Sequence, residues 1–233
     1  MGKKKLVVLS GAGISAESGI RTFRDSDGLW NEYRIEDVCT PEGFKRNPEL
    51  VLNFYNDMRK EHLLHKPNYG HLGLKELEGL FDVRIITQNI DNLHERAKSK
   101  NVLHLHGELM KVRSSENPEL ITLLDDANCE IHVGDLASDG SQLRPFIVWF
   151  GEAVPNMDPA IQLVSEADIF LIIGTSLNVY PAAGLIHYVP NDAPVYIIDP
   201  KDIPVSNRRN VMHIKSGATE GMKKFVELMK NRV

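Results

Sequence analysis

The chain has 233 residues, enough for one large α/β domain, or a main domain with a smaller insertion, built on a substantial core. Its net charge of -5, with Lys and Arg spread along the chain, leaves no broad basic surface, so nucleic acid is not an expected partner. Cys39 and Cys129 are too few and too far apart for a disulfide framework, and Lys3-Lys4-Lys5 leads into a strand rather than a long apolar run; neither a signal peptide nor a membrane span is expected, and a cytoplasmic protein is.

Leu6-Val7-Val8-Leu9 reads as a buried strand that feeds, almost without a spacer, the glycine-rich run Gly11-Ala12-Gly13-Ile14-Ser15-Ala16-Glu17-Ser18-Gly19-Ile20. Backbone without Cβ atoms can bend tightly there and approach a pyrophosphate, which points to a dinucleotide site; an ordinary tight turn is the other reading. The glycine spacing departs from the hydride-transfer fingerprint, and no second strand ending in an acid follows about twenty residues on. A polar loop with aromatic ends, Phe23-Arg24-Asp25-Ser26-Asp27-Gly28-Leu29-Trp30, follows instead and suits folding over a ligand. Residues 35–67 are expected to be a helical insertion, with a long amphipathic stretch opening at Pro48. Helices are predicted over 68–80, 91–98, 158–167, 182–189 and 219–231, and strands over 83–87, 102–105, 169–173, 195–198 and 211–214. Such continuous apolar runs imply a parallel sheet with helices on both faces. Residues 111–143, rich in Ser, Asp, Asn and Gly, break the alternation, and with 35–67 are expected to form a smaller lobe over the strand ends.

In open parallel sheets ligands sit beyond the carboxyl ends of the strands, so the residues after each apolar run carry the information. The first such group is Thr87-Gln88-Asn89-Ile90-Asp91-Asn92-Leu93-His94, where amides and a carboxylate meet at a strand-to-helix junction; helix capping by Asn89 or Asp91 is the plainer reading. Next, His104 and His106 share one strand face, which suits a metal pair or two structural histidines. His106 lies at the strand end before Gly107, where an imidazole with a pKa of about 6.5 can reach a ligand and take a proton. Gly174-Thr175-Ser176 ends a third strand with open backbone and hydroxyl donors.

In this order, Gly11-Ala12-Gly13-Ile14-Ser15, Ser18-Gly19-Ile20, Phe23-Arg24, Thr87-Gln88-Asn89-Ile90-Asp91, His106-Gly107, Phe150-Gly151-Glu152 and Gly174-Thr175-Ser176 resemble the sirtuin family of NAD-dependent protein lysine deacylases, from Leu6 to about Phe225. Ser15-Ala16-Glu17-Ser18 looks most like the class III, desuccinylase-type branch. The resemblance implies a Rossmann-like large lobe of residues 1–34, 68–107 and 144–233, with a small lobe of 35–67 and 108–143. It implies that NAD is held by Gly11, Ala12, Gly13, Ser15, Glu17, Thr22, Phe23, Arg24 and Trp30, by Gln88, Asn89, Ile90 and Asp91 around the nicotinamide ribose and carboxamide, and by Gly174, Thr175 and Ser176. In the family's reaction the acyl oxygen of a modified lysine attacks the ribose, releasing nicotinamide. His106, with Asn89 as catalytic partner, would then be the general base that lets a ribose hydroxyl take the acyl group; the products are lysine and O-acyl-ADP-ribose. Two segments, with Ile147, Val148, Phe150, Gly151 and Glu152 in one and Asn178 and Val179 in the other, resemble those that clamp the substrate backbone, although Ile147 reads equally as core.

Three departures modify the resemblance. Sirtuins carry four cysteines for a structural zinc, whereas only Cys129 stands between Glu108 and Arg144, with Ser114 near where the first pair would begin; zinc is expected to be absent and the small lobe held by packing alone. The class III branch pairs a Tyr with an Arg three residues on to grip an acidic acyl chain. Here Tyr55 fits, but Met58 takes the Arg position and Arg59 follows one place later, a turn of about 100° that would point it away. Tyr55 and Arg59 stay candidates for acyl binding, and Tyr55 reads equally as packing. Finally, Ile197 replaces an Asn that touches the adenosine ribose in many relatives, leaving Asp199 to take part of that contact, with Ala218 near the adenine. A protein ADP-ribosyltransferase using the same pocket is the alternative activity. Acyl-lysine proteins or peptides are the expected partners, and a monomer the expected state.

Overall fold

The computed structural model describes residues 2–21, 33–205 and 210–232. Strand β1 (Lys5–Ser10), which leads into the single turn α1 (Gly13–Ala16), is central to a six-stranded parallel sheet with β2 (Asp82–Thr87), β3 (Val102–His104), β7 (Ile169–Ile173), β8 (Val195–Ile198) and β9 (Val211–Ile214), in the order β3-β2-β1-β7-β8-β9. Alternate residues of β1 serve opposite faces. Leu6 and Val8 pack with Leu171, Ile173, Tyr196 and Ile198 under α5 (Tyr69–Leu77) and α8 (Ala218–Lys230); Val7 and Leu9 pack with Phe170, Ile172, Val195 and Ile197 under α7 (Met157–Ser165) and a 3-10 helix (Ala182–Tyr188). Both faces being covered, every position of the run must be apolar, which is why the sequence shows no period of two. The predicted helix over 91–98 shrinks to the single turn α6 (Leu93–Arg96), ended by Lys98 at a φ of 70°.

The second lobe combines α2 (Ile35–Val38), α3 (Pro41–Arg46) and α4 (Pro48–Leu64) with an antiparallel sheet of β4 (Gly107–Ser114), β5 (Ile121–Leu123) and β6 (Leu143–Ile147), ordered β5-β4-β6. Asn47 starts α4 by accepting the Leu50 N–H at 3.1 Å, and Pro48 follows at the first helical position. Val51, Phe54 and Tyr55 of α4 then bury against Leu109, Ile147 and Trp149. The resemblance put residues 144–147 in the large lobe, yet β6 pairs with β4 in the small sheet.

Polar contacts also hold this lobe, which corrects the expectation that packing alone does so. The buried Ser114 hydroxyl donates to Asp139 Oδ2 at 2.7 Å and accepts the N–H groups of Glu116 and Asn117 at 3.0 and 2.8 Å; Ser141 donates to Asp139 through its hydroxyl at 2.7 Å and its N–H at 3.0 Å. The Asn56 amide grips the backbone of Ile131 on both sides, at 2.9 and 3.0 Å. Among the described residues no helix is long and apolar enough to cross a membrane.

Candidate active site

Because β1 pairs with β2 on one side and β7 on the other, the chain order reverses there, and the crevice beyond these strand ends is where such a sheet can hold a ligand. The turn after β1 is fastened across it: Gly11 N–H donates to Ile173 O at 3.1 Å and Gly13 N–H to Gly174 O at 2.8 Å. A Cβ at Gly13 would stand 2.7 Å from Gly174 Cα, so only glycine lets the two loops meet. Gln88 Nε2 crosses the same crevice to Thr175 Oγ1 at 2.9 Å.

Ala12, Ser15, Asn89, Ile90 and Asp91 come together around one cavity, with Ile20, Arg21, Met58, Glu61, His62, His65 and Leu109 completing its wall. Ser15 Oγ donates to Asp91 Oδ2 at 2.9 Å and accepts from Asn89 Nδ2 at 3.2 Å. Behind them lie His71 and His94, two buried rings 5.0 Å apart, with His94 Nε2 3.0 Å from Ser10 Oγ. Burial drives the His71 pKa down to about 4 and that of His94 well below its ordinary value, so both rings are neutral. Sequence reasoning missed both. The available signal was a polar residue on the buried face of a predicted helix.

His106 stands between β3 and β4, where the large and small sheets join. Its Nδ1 is 3.0 Å from Gln88 O; a carbonyl only accepts, so the proton sits on Nδ1 and the lone pair on Nε2. Burial lowers its pKa, keeping the ring neutral and basic at neutral pH. Gly107, at a φ of 87°, turns the chain directly after it into β4.

Neither Tyr55 nor Arg59, the two candidates for acyl binding, lines the cavity. Tyr55 is buried with its hydroxyl 3.6 Å from Cys39 Sγ and 3.0 Å from Trp149 Nε1. Arg59 is fully buried, donating to Leu109 O and Asn56 Oδ1 at 2.8 Å each, and Met58 faces the cavity in its stead. Glu152 is engaged too: it accepts from Arg144 at 2.7 Å and from Trp149 N–H at 2.8 Å. Ile147 lies in the core, Val148 is half-buried, and Phe150, Gly151 and Asn178 are exposed, with Val179 half-buried beside Asn178. Glu17 accepts the Thr219 N–H at 2.6 Å, next to Ala218 at the start of α8. Asp199 accepts the Lys201 N–H at 2.8 Å at the end of β8, and Ser176 is exposed beyond β7. Thr22, Phe23, Arg24 and Trp30 lie outside the described residues.

The sequence profile of the Sir2 family matches residues 11–181, which span the glycine turn, the 88–91 loop, His106 and the end of β7. The chain belongs to the Sir2 family. An NAD-dependent protein deacylase of Bacteroides thetaiotaomicron is 58% identical over 97% of this chain and 98% of its own, and one of Helicobacter pylori is 53% identical over 94% of each. Among solved structures, a Sir2 homologue–NAD complex superposes with a TM-score of 0.88 at 38% identity, covering 99% of this chain and 91% of that one. A Sir2–p53 peptide–NAD+ complex gives 0.79 at 30% identity, covering 98% and 95%. These Sir2 relatives match along nearly the whole chain, so both sheets belong to the family's architecture.

Proposed function

We propose that this chain removes acyl groups from lysine side chains of proteins in an NAD-dependent reaction. The observation that carries the reading is the neutral His106, its Nδ1 fixed on the carbonyl of Gln88, the residue that directly precedes Asn89 of the cavity wall. The residues present fit NAD: Ala12, Ile20 and Ile90 give apolar walls, while the Asn89 amide and Asp91 carboxylate suit a carboxamide and a ribose. When bound, NAD supplies a labile nicotinamide–ribose bond and the ribose that carries the acyl group away. His106 Nε2 takes the proton of a hydroxyl that is a poor nucleophile at neutral pH. Asn89, held by Ser15, orients the carboxamide. The exposure of Phe150, Gly151 and Asn178 supports their part in holding an extended peptide, with Val179 beside Asn178. Incubation with NAD and an acetyl-lysine peptide is expected to yield nicotinamide and O-acetyl-ADP-ribose by mass spectrometry; ADP-ribosylated protein with intact acetyl-lysine would point to the transferase instead.

The acyl wall supports an uncharged chain rather than a succinyl group. Met58 and Leu109 line it, Arg59 is committed elsewhere, and Arg21 Nε lies 3.9 Å from Glu61, which offsets its charge. An acyl-peptide panel is expected to show kcat/KM for acetyl-lysine at least about tenfold above that for succinyl-lysine, and Met58→Arg to narrow the gap by restoring a charge-assisted partner. Equal rates in the wild type would refute this preference.

The residues do not fit a structural zinc. The Ser114–Asp139–Ser141 contacts occupy the end of β4, and among the described residues no three His, Cys, Asp or Glu side chains converge. Elemental analysis is expected to find no stoichiometric zinc, and a chelator to leave the melting temperature unchanged; one tightly held equivalent would overturn this. Buried, unpaired Cys39 and Cys129 support a reducing, cytoplasmic setting, and the net charge of -5 supports protein rather than nucleic-acid partners. A monomer remains the expected state. The lobe boundaries read from the resemblance are supported at Gly107, where β4 begins.

A further inference from the structure

The loop that follows β2 carries Gln88, Asn89 and Asp91, and an irregular segment must find partners for its carbonyls outside itself. Three successive ones are taken by the segment running from β3 into β4. His106 Nδ1 donates to Gln88 O at 3.0 Å, His104 Nδ1 donates to Asn89 O at 2.9 Å, and the Leu109 N–H donates to Ile90 O at 2.8 Å. The two histidines differ in what their second nitrogen meets. His104 Nε2 lies 2.9 Å from Glu95 Oε1 on α6. A carbonyl and a carboxylate only accept, so His104 makes both bonds only as the doubly protonated imidazolium, whereas His106 is satisfied as a neutral ring. His104 is itself secured, its backbone carbonyl accepting from Asn156 Nδ2 at 2.7 Å.

We propose that His104, held by Glu95, is a positioning residue: its cationic ring fixes the Asn89 peptide, and so the angle at which Asn89 and Asp91 present themselves to NAD, without touching a reactant. The proposal rests on the deacylase reading of the site. The titratable groups facing the ring are Glu95 and the neutral His94 from α6 and Glu108 from β4, with Lys111 of β4 paired to Glu108 at 2.7 Å. Burial opposes the charge on His104, but the hydrogen bond and charge of Glu95, aided by Glu108, outweigh it and lift the pKa above the ordinary 6.5. A raised pKa means the cationic tether is intact below the ordinary value and is lost as pH rises through the raised one. His106 titrates the other way: it fails as pH falls through its lowered pKa. The pair therefore sets an acid limb and an alkaline limb from two rings two residues apart.

The test is steady-state nicotinamide release by wild type, Glu95→Gln and His104→Gln, with NAD titrated at several pH values under saturating acetyl-lysine peptide, alongside melting temperatures. Glu95→Gln is expected to raise KM for NAD about fivefold, leave KM for peptide unchanged and move the alkaline fall of kcat/KM for NAD to lower pH. His104→Gln, which keeps one donor for Asn89 O but cannot titrate, is expected to remove the alkaline limb. Unchanged NAD parameters and pH profiles in both variants would overturn the proposal, as would a lowered melting temperature accompanied by equal losses in every kinetic constant. Absence of nicotinamide release from the wild type would instead refute the deacylase reading, and NAD titration calorimetry on the same three proteins would still report on the tether.

Discussion

Replacing His106 with alanine is expected to lower kcat for lysine deacylation by about 10²–10⁴-fold while NAD still binds, the range that a lost general base produces. Ser15, Asn89 and Asp91 hold one another through hydrogen bonds that do not pass through His106, so the cavity survives the substitution. Gln88 keeps its bond to Thr175 as well. His106→Tyr should behave alike, since a phenol does not offer a basic nitrogen near neutral pH. The wild-type rate should fall on the acid side as the ring, whose pKa burial places below 6.5, takes up a proton and loses its lone pair. Calorimetry for NAD and single-turnover deacylation together check the assignment; turnover at the wild-type rate in His106→Ala would end it.

Glu152→Ala is expected to be among the most destabilising single changes. Arg144 is 5% exposed and its guanidinium lies 3.5 Å over the Trp149 ring, with Glu152 the carboxylate that compensates it at 2.7 Å. Arg113 stands 3.4 Å from the same carboxylate. Removing Glu152 leaves two guanidinium groups crowded together and one of them buried, a defect that costs about 3–5 kcal/mol where a buried pair is broken. For a chain of this size that corresponds to a drop in melting temperature of roughly 6–20 °C. Burial raises the Glu152 carboxyl, but Arg144, the Trp149 N–H and Arg113 outweigh it and hold the pKa below 4.5. Its contribution is thus present above pH 4.5 and is lost as pH falls through the lower folded value, so wild type and Glu152→Gln should converge in stability in acid. A Glu152→Ala variant melting with the wild type would show that the pair has no structural weight.

What could be read from the chain follows from how many neighbours each residue needs. The parallel sheet was legible because Leu6 to Leu9 and Ile169 to Ile173 bury on both faces, a demand met within the run itself. The strand-end residues stood out because an open parallel sheet leaves its ligand crevice there. The antiparallel sheet was not legible: β5 is exposed along its length, so its hydrogen bonds leave no apolar pattern behind. The surroundings of Tyr55 and Arg59 could not be read because the partners deciding their direction, Trp149 and Leu109, lie far away in sequence, whereas Glu152 meets Arg144 only eight residues before it, a pairing that no periodicity announces. That Met58 and not Arg59 lines the cavity is a matter of one position on α4, the offset the sequence already showed.

The cavity draws its surfaces from both halves of the molecule: Ala12, Ser15 and Asn89 from the parallel-sheet side, Met58 and Leu109 from the other. Anything seated between them grips two bodies at once. Its affinity then depends on how the two surfaces are spaced, and by linkage whatever favours the spacing that fits the ligand tightens binding to the same degree. Substitutions at the seam, remote from every reacting atom, should therefore be felt as changes in coenzyme saturation.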